Sequence, residues 1–118
     1  FPTGLWPEQV RVLPISEKYA QYAEQVREQL ADHGIDVTVD IRSEKIGFKI
    51  REARLKEIPY MLIVGQKEQE EHVVSLRSRY KGEEGQIPLD DFIRDIVEEI
   101  RTKEIRKIEV EAGGDHGE

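Results

Sequence analysis

Between Arg42 and Lys81 the chain carries 10 lysines and arginines against 6 acidic residues, whereas the rest of its 118 residues carries 8 against 19. The molecule is acidic overall, with a net charge of -7, yet it holds a segregated positive island of +4. Within the island Arg42, Lys45, Lys49, Arg51 and Arg54 crowd one stretch, Lys67 and Glu68 stand side by side, and Arg77 and Arg79 follow close together. Guanidinium forks match phosphate oxygens and the hydrogen-bonding edge of guanine, and a carboxylate accepts from an imino or amino N–H. A mixed set of arginines and one glutamate therefore suits unpaired bases, which RNA loops present. A basic run is most often only a solvated helix face; what weighs against that here is the arrival of cations from three separate segments.

Other chemistries find less support. His33, His72 and His116 stand apart from one another and from any activated nucleophile, so neither a metal site nor a catalytic residue is expected. The lack of cysteine excludes disulfides and thiolate ligands. Gly34, Gly47 and Gly65 stand singly, unlike the glycines of a phosphate-binding loop. Asp40 falls at a strand end, as does the phosphoacceptor of a receiver-type signalling domain of about this length. That chemistry needs an acidic pair after the first strand to hold magnesium, and the position reads Pro14-Ile15-Ser16. Asp40 is instead expected to pair with Arg42 or Lys45, or to cap the turn. By itself the domain is read as non-catalytic.

The elements that must position the island follow from hydrophobic spacing. Val10, Val12 and Leu13-Pro14-Ile15 predict a first strand, and Ser16 is a suitable N-cap for a helix carrying Tyr19, Ala23, Val26 and Leu30 on one stripe, with Gly34 as its stop. Ile35, Val37, Val39 and Ile41 alternate as a second strand. Ile46, Ile50 and Ala53 share a face of the next helix, with Lys45, Lys49, Arg51 and Lys56 assigned to or near the other, and Ile58-Pro59 as its end. Gly47 has no propensity reason to sit near that helix start; it would permit close approach of a partner or a neighbouring strand. Tyr60 to Val64 is an uninterrupted apolar run of the kind covered on both faces, Gln66 to Glu71 reads as a polar connection, and His72 to Arg79 as a strand with Val73, Ser75, Arg77 and Arg79 on one face. Lys81 to Gly85 reads as a charged loop, Gln86-Ile87 as a short edge strand, and Pro88 as the first position of a helix with Leu89, Phe92, Ile93, Ile96 and Ile100 inward. The expected fold is α/β and three-layered, a mixed sheet of about five strands with three main helices. Its domain is placed at residues 1–108, opening with an irregular lead-in through Pro2, Gly4 and Pro7, with an acidic, glycine-rich and disordered tail expected at 109–118. In such sheets the carboxyl ends of the parallel strands form the usual binding edge, which would set Arg42 to Lys45 beside Gln66 to Glu68.

Two blocks also carry a family likeness. Glu44-Lys45-Ile46-Gly47-Phe48-Lys49-Ile50-Arg51-Glu52-Ala53, then Ile58-Pro59-Tyr60-Met61-Leu62 and Gly65-x-Lys67-Glu68, resemble the carboxy-terminal anticodon-binding domain of threonyl-tRNA synthetases, over about Pro2 to Ile105. The synthetases for proline, glycine and histidine share the fold but are less similar across these blocks. The resemblance implies that Ser43, Glu68 and Arg77 read anticodon bases, and that Lys45, Lys67 and Arg79 give backbone or supporting contacts, with Arg42 and Lys49 beside them. The family often has asparagine where Ser43 stands, and Trp-Leu-Ala-Pro where this chain reads Gly4-Leu5-Trp6-Pro7. It implies threonine tRNA as partner, and a parent enzyme, expected to be a homodimer, that uses ATP, magnesium and a catalytic-domain zinc, with no cofactor in this domain.

The alternatives are a small-ligand or receiver-like module, which does not need the positive island, and a protein-interaction module of the same fold, which does not need Glu68 and Arg77 together. No run approaches the roughly 18 apolar residues of a membrane span and no charged-then-apolar leader opens the chain. A cytoplasmic protein with neither membrane nor DNA as partner is expected, and the start at Phe1-Pro2-Thr3 suggests an excised domain, expected as a monomer in isolation.

Overall fold

The structure, a computed structural model, describes residues 8–113, with side chains described through residue 106. Five strands, β1 (Val10–Pro14), β2 (Val37–Val39), β3 (Tyr60–Val64), β4 (Val73–Ser78) and β5 (Gly82–Pro88), form one sheet in the order β2-β1-β3-β4-β5. β1 is parallel to β2 and β3, and β4 is antiparallel to both β3 and β5. The helices are α1 (Ala20–Asp32), α2 (Ile46–Leu55), α3 (Gln66–Glu71) and α4 (Leu89–Gly113), with a short 3-10 turn at Glu17–Tyr19. None of the described helices is long and apolar enough to cross a membrane.

The layers follow the side-chain alternation. Val10, Val12, Leu62, Val64, Val74 and Leu76 point to the face covered by Tyr22, Ala23, Val26 and Leu30 of α1 and by Leu89, Phe92, Ile93 and Ile96 of α4. Leu13, Met61 and Ile63 point to the other face, where Ile46, Ile50 and Ala53 of α2 and the nearby Ile58 meet them. β3 lies third of five, as its continuous apolar run requires, and the three layers agree with expectation.

Departures cluster where no apolar pattern exists. The segment Gln66 to Glu71, expected as a connection, is helical, because Glu68 reaches back to accept the amide of Gly65 at 2.8 Å and closes the first turn. β5 begins at Gly82 rather than Gln86, with a bulge opposite Leu76/Arg77 and Gly85 at φ +87, a left-handed value that only glycine adopts without strain. Pro88 ends β5 instead of opening α4. α2 stops at Leu55, short of Pro59, with Glu57 in the left-handed region and the amide of Ile58 bonded back to Ala53. α4 stays helical to Gly113, past Glu109 where the tail was expected to begin; residues 114–118 and the lead-in at 1–7 lie outside the described residues.

Candidate nucleic-acid interface

At the end of β2 the chain turns through a fixed charge cluster. The Asp40 carboxylate, 8% exposed, accepts from Arg42 at Nε (2.9 Å) and Nη2 (2.7 Å) and from the Arg42 amide (3.2 Å). These bonds to Arg42, acting against burial, hold Asp40 below the usual carboxylate range. The guanidinium also pairs with Glu52 and lies 5.7 Å from the Phe48 ring centroid. Asp40 thus pairs with Arg42 and caps the turn as expected, but Arg42 is committed to this cluster. Lys49 departs from its assignment altogether. Its side chain is buried, 2% exposed, and Nζ donates to the carbonyls of Pro14 (3.2 Å) and Asp40 (3.0 Å), tying the ends of β1 and β2 to α2. A group so enclosed cannot reach a phosphate. Ser43 and Lys45 stand exposed beyond it, on the rim of a groove of about 540 Å³ that also touches Ile15 and Lys18.

The second segment is α3. Glu68 occupies its first turn; besides the Gly65 amide it accepts from Ser75 Oγ (2.8 Å) and Gln86 Nε2 (3.0 Å), both on Oε2. Burial raises the Glu68 pKa, but the bonds from Gln86, Ser75 and backbone amides outweigh it and leave the carboxyl below its ordinary value. It is therefore an ionised acceptor at neutral pH. Gly65 lets this happen at close quarters, since a Cβ there would lie 2.7 Å from Ile15 Cδ1 and 3.2 Å from Glu68 Oε1. Lys67 is exposed on the same turn. The turn after β2 and α3 are not immediate neighbours, because β1 runs between β2 and β3; two strand spacings, about 10 Å, separate their bases.

β4 supplies the third segment, and its antiparallel sense sorts the two arginines. Ser75 pairs with Ile63 near the carboxyl end of β3, whereas Arg77 pairs with Met61, one row further from that edge. Arg79 is beyond the strand altogether, with its amide bonded to Pro59 O and its guanidinium to the carbonyl and carboxylate of Glu57, and it stacks on Tyr80. The convergence expected for Arg79 fails: it sits at the opposite end of the sheet. Arg77 faces Glu83 of β5 at 3.5 Å, too long for a firm bond, and Ser75 faces Gln86 in the adjacent row. Neither apolar cluster includes Ser75, Arg77, Glu83 or Gln86, so these four form a polar surface beside Glu68.

Lys49 and Glu52 turn toward the end of β2, so Gly47, Ile50, Arg51 and Arg54 line the opposite flank of α2, around a shallow depression of about 500 Å³. A Cβ on Gly47 would meet nothing within 4 Å. The option that a neighbouring strand approaches this glycine is therefore closed.

Residues 9–99 match the anticodon binding domain family. The chain belongs to that family. It is 62% identical over 103 residues to a threonine–tRNA ligase of Caldanaerobacter subterraneus subsp. tengcongensis, covering 87% of this chain and 16% of the relative. A threonine–tRNA ligase of Clostridioides difficile is 57% identical over 104 residues, covering 88% and 16%. The RNA binding domain of threonyl-tRNA synthetase from Cryptosporidium parvum Iowa II has the same fold, with a TM-score of 0.74 and 38% identity over 80% of this chain and 24% of that one. The chain thus spans about a sixth of the length of the curated relatives it matches.

For an anticodon-binding domain the receiver-like alternative is not favoured. Among the described residues no group of three or more His, Cys, Asp or Glu is placed to hold a metal ion. The bonds of Ser75 and Gln86 to Glu68 were not expected from the sequence of this anticodon-binding domain. The alternation of β4 sets Ser75 on the Arg77 face, which is the available signal; Gln86 falls in the expected short edge strand, and only the Gly82 to Gly85 part of β5 is concealed by glycines and charges.

Proposed function

We propose that this domain reads the anticodon loop of threonine tRNA within a longer threonine–tRNA ligase. The observation that carries the reading is an ionised, hydrogen-bonded Glu68 carboxylate beside a weakly engaged Arg77 fork on a polar sheet surface. Guanine offers both complements, two adjacent N–H donors on its pairing edge for the carboxylate and the O6/N7 acceptors for an arginine. Threonine anticodons share a central guanine and a third uracil, whose imino N–H and carbonyl oxygens fit the same pair of groups. Ser43, exposed on its turn, contributes one hydroxyl in place of an amide, and Lys45 and Lys67 suit phosphates because both are exposed. Arg51 and Arg54, which line the shallow depression on α2, join them in that role. Lys49 and Arg79 are left out of the contacts, and Arg42 acts by holding the turn. Activation of threonine with ATP and its transfer to tRNA, with the metals that chemistry uses, would belong to other parts of the longer, dimeric and cytoplasmic enzyme.

The test is titration of the chain into a labelled anticodon stem-loop at two ionic strengths. With two to four phosphates contacted, the logarithm of affinity should fall with the logarithm of salt at a slope of about -1.5 to -3. A salt-independent affinity, or equal affinity for a stem-loop with an unrelated anticodon, would overturn the reading.

A further inference from the structure

Glu68 ends a side chain with three rotatable bonds on a six-residue helix. Left free, such a group loses much of its rotamer freedom when it engages a ligand, and that loss weakens binding. Here the loss is incurred on folding, because donors reach the carboxylate from three elements. The Gly65 amide at the end of β3 takes Oε1, while the Ser75 hydroxyl on β4 and the Gln86 carboxamide on β5 share Oε2. Ser75 and Gln86 are directly paired across the sheet, so their two bonds arrive as a unit.

We propose that Ser75 and Gln86 are specificity-determining positioning residues that hold Glu68 as an oriented, acceptor-only group for a base N–H, which makes the edge strand β5 part of the reading site. The inference rests on the anticodon reading above and deepens it.

Three points of chemistry support it. A carboxylate has room for about four donors, and three are in place, which leaves capacity on Oε1 for one more. Gln86 must present its amino side to Glu68, since an ionised carboxylate has no proton to give. Helix α3 needs only the Gly65 bond on Oε1 for its cap, so the two bonds on Oε2 are surplus to the fold, and Gln86 itself is exposed. An acceptor fixed in this way discriminates by rejection. Replacing guanine with adenine exchanges a ring N–H for a bare ring nitrogen, and an acceptor then faces an acceptor.

The experiment measures affinities of the chain and its variants for two synthetic stem-loops, one with a threonine anticodon and one with its central guanine changed to adenine. Gln86→Ala and Ser75→Ala should each lower affinity for the guanine form on the order of tenfold and leave the adenine form within about twofold. Ser75→Thr, which keeps the hydroxyl, should behave as the unsubstituted chain. Gln86→Ala added to Glu68→Ala should cost nothing further, because the two residues act through one group. Equal losses on both stem-loops, or full additivity with Glu68→Ala, would overturn this inference alone. Failure of the unsubstituted chain to bind either stem-loop would overturn the proposed function and this inference with it. Binding that Glu68→Ala leaves unchanged would remove Glu68 as a reader, and its positioning residues too, while RNA binding stood.

Discussion

The two halves of the sheet solve different problems with the same backbone. β1 and β3 are covered on both faces, by α1 and α4 on one side and α2 on the other, and their side chains are nearly all apolar. β4 and β5 are covered on one face only; their other side carries Ser75, Arg77, Glu83 and Gln86. The covered half fixes where strand ends and helix termini fall, and the open half displays groups that must stay wet until a partner replaces water. Polar groups on the open half cost little to keep because solvent satisfies them, whereas each polar group in the covered half needs a partner inside. Lys49 and Asp40 illustrate the second case and Arg77 the first.

Substitutions should separate the halves by the quantity they change. Lys49→Ala is expected to have the largest effect, a loss of about 3 kcal/mol in stability, because it leaves two buried strand-end carbonyls without their donor and removes the packed lysine stem. Denaturant titration measures it, and a loss below about 1 kcal/mol would mean that the buried ammonium is dispensable. Arg77→Ala should do the reverse: stability nearly unchanged, and discrimination between threonine and altered anticodons reduced by about 1 to 3 kcal/mol in aminoacylation by the full enzyme. A uniform loss on all transcripts would make Arg77 a phosphate clamp instead.

A smaller effect belongs to acid. Asp40 has its folded pKa below the unfolded reference of 3.8, chiefly through Arg42. Its contribution is complete above that reference and is lost as pH falls through the folded value. Asp40→Asn should therefore be less stable than the unsubstituted chain at neutral pH and lose less on acidification, as thermal unfolding between pH 7 and pH 3 (an interval of about four units) can record. The smallest effect is expected at Gly47→Ala. Alanine favours a helix by up to about 1 kcal/mol and meets no atom of the chain, so stability should rise slightly. If RNA passes along this flank of α2, affinity should fall modestly in the same variant; a gain in stability with unchanged affinity would show that the RNA keeps to the sheet.

Much of the covered half was legible because burial writes a periodic pattern. The run Tyr60 to Val64, the stripe through Ala23, Val26 and Leu30, and the alternation of Val74 with Leu76 all appear where spacing put them. α3 was not legible, since its six polar residues owe their helix to one side-chain bond from Glu68. The first part of β5, ahead of the expected strand at Gln86-Ile87, was hidden by its glycines, Gly82 and Gly85. Lys49 was misassigned by charge: it lies three residues after Ile46 and four before Ala53, on the edge of the inward stripe, and the spacing was the better guide. Arg79 was misplaced because the direction of β4 carries each successive residue away from the carboxyl edge of β3. The base-reading roles came from the resemblance, and residue types alone indicated only an RNA-like edge.

The enclosure of Lys49 also makes it a built-in gauge. In the folded chain its amine is shielded while Lys45 and Lys67 lie open to solvent. Amine-directed labelling should therefore modify Lys49 last, and only in molecules where α2 has swung away from the ends of β1 and β2. The rate of that slow label, set against the fast ones, reads how often the turn bearing Ser43 comes loose from the sheet, without any substitution at all.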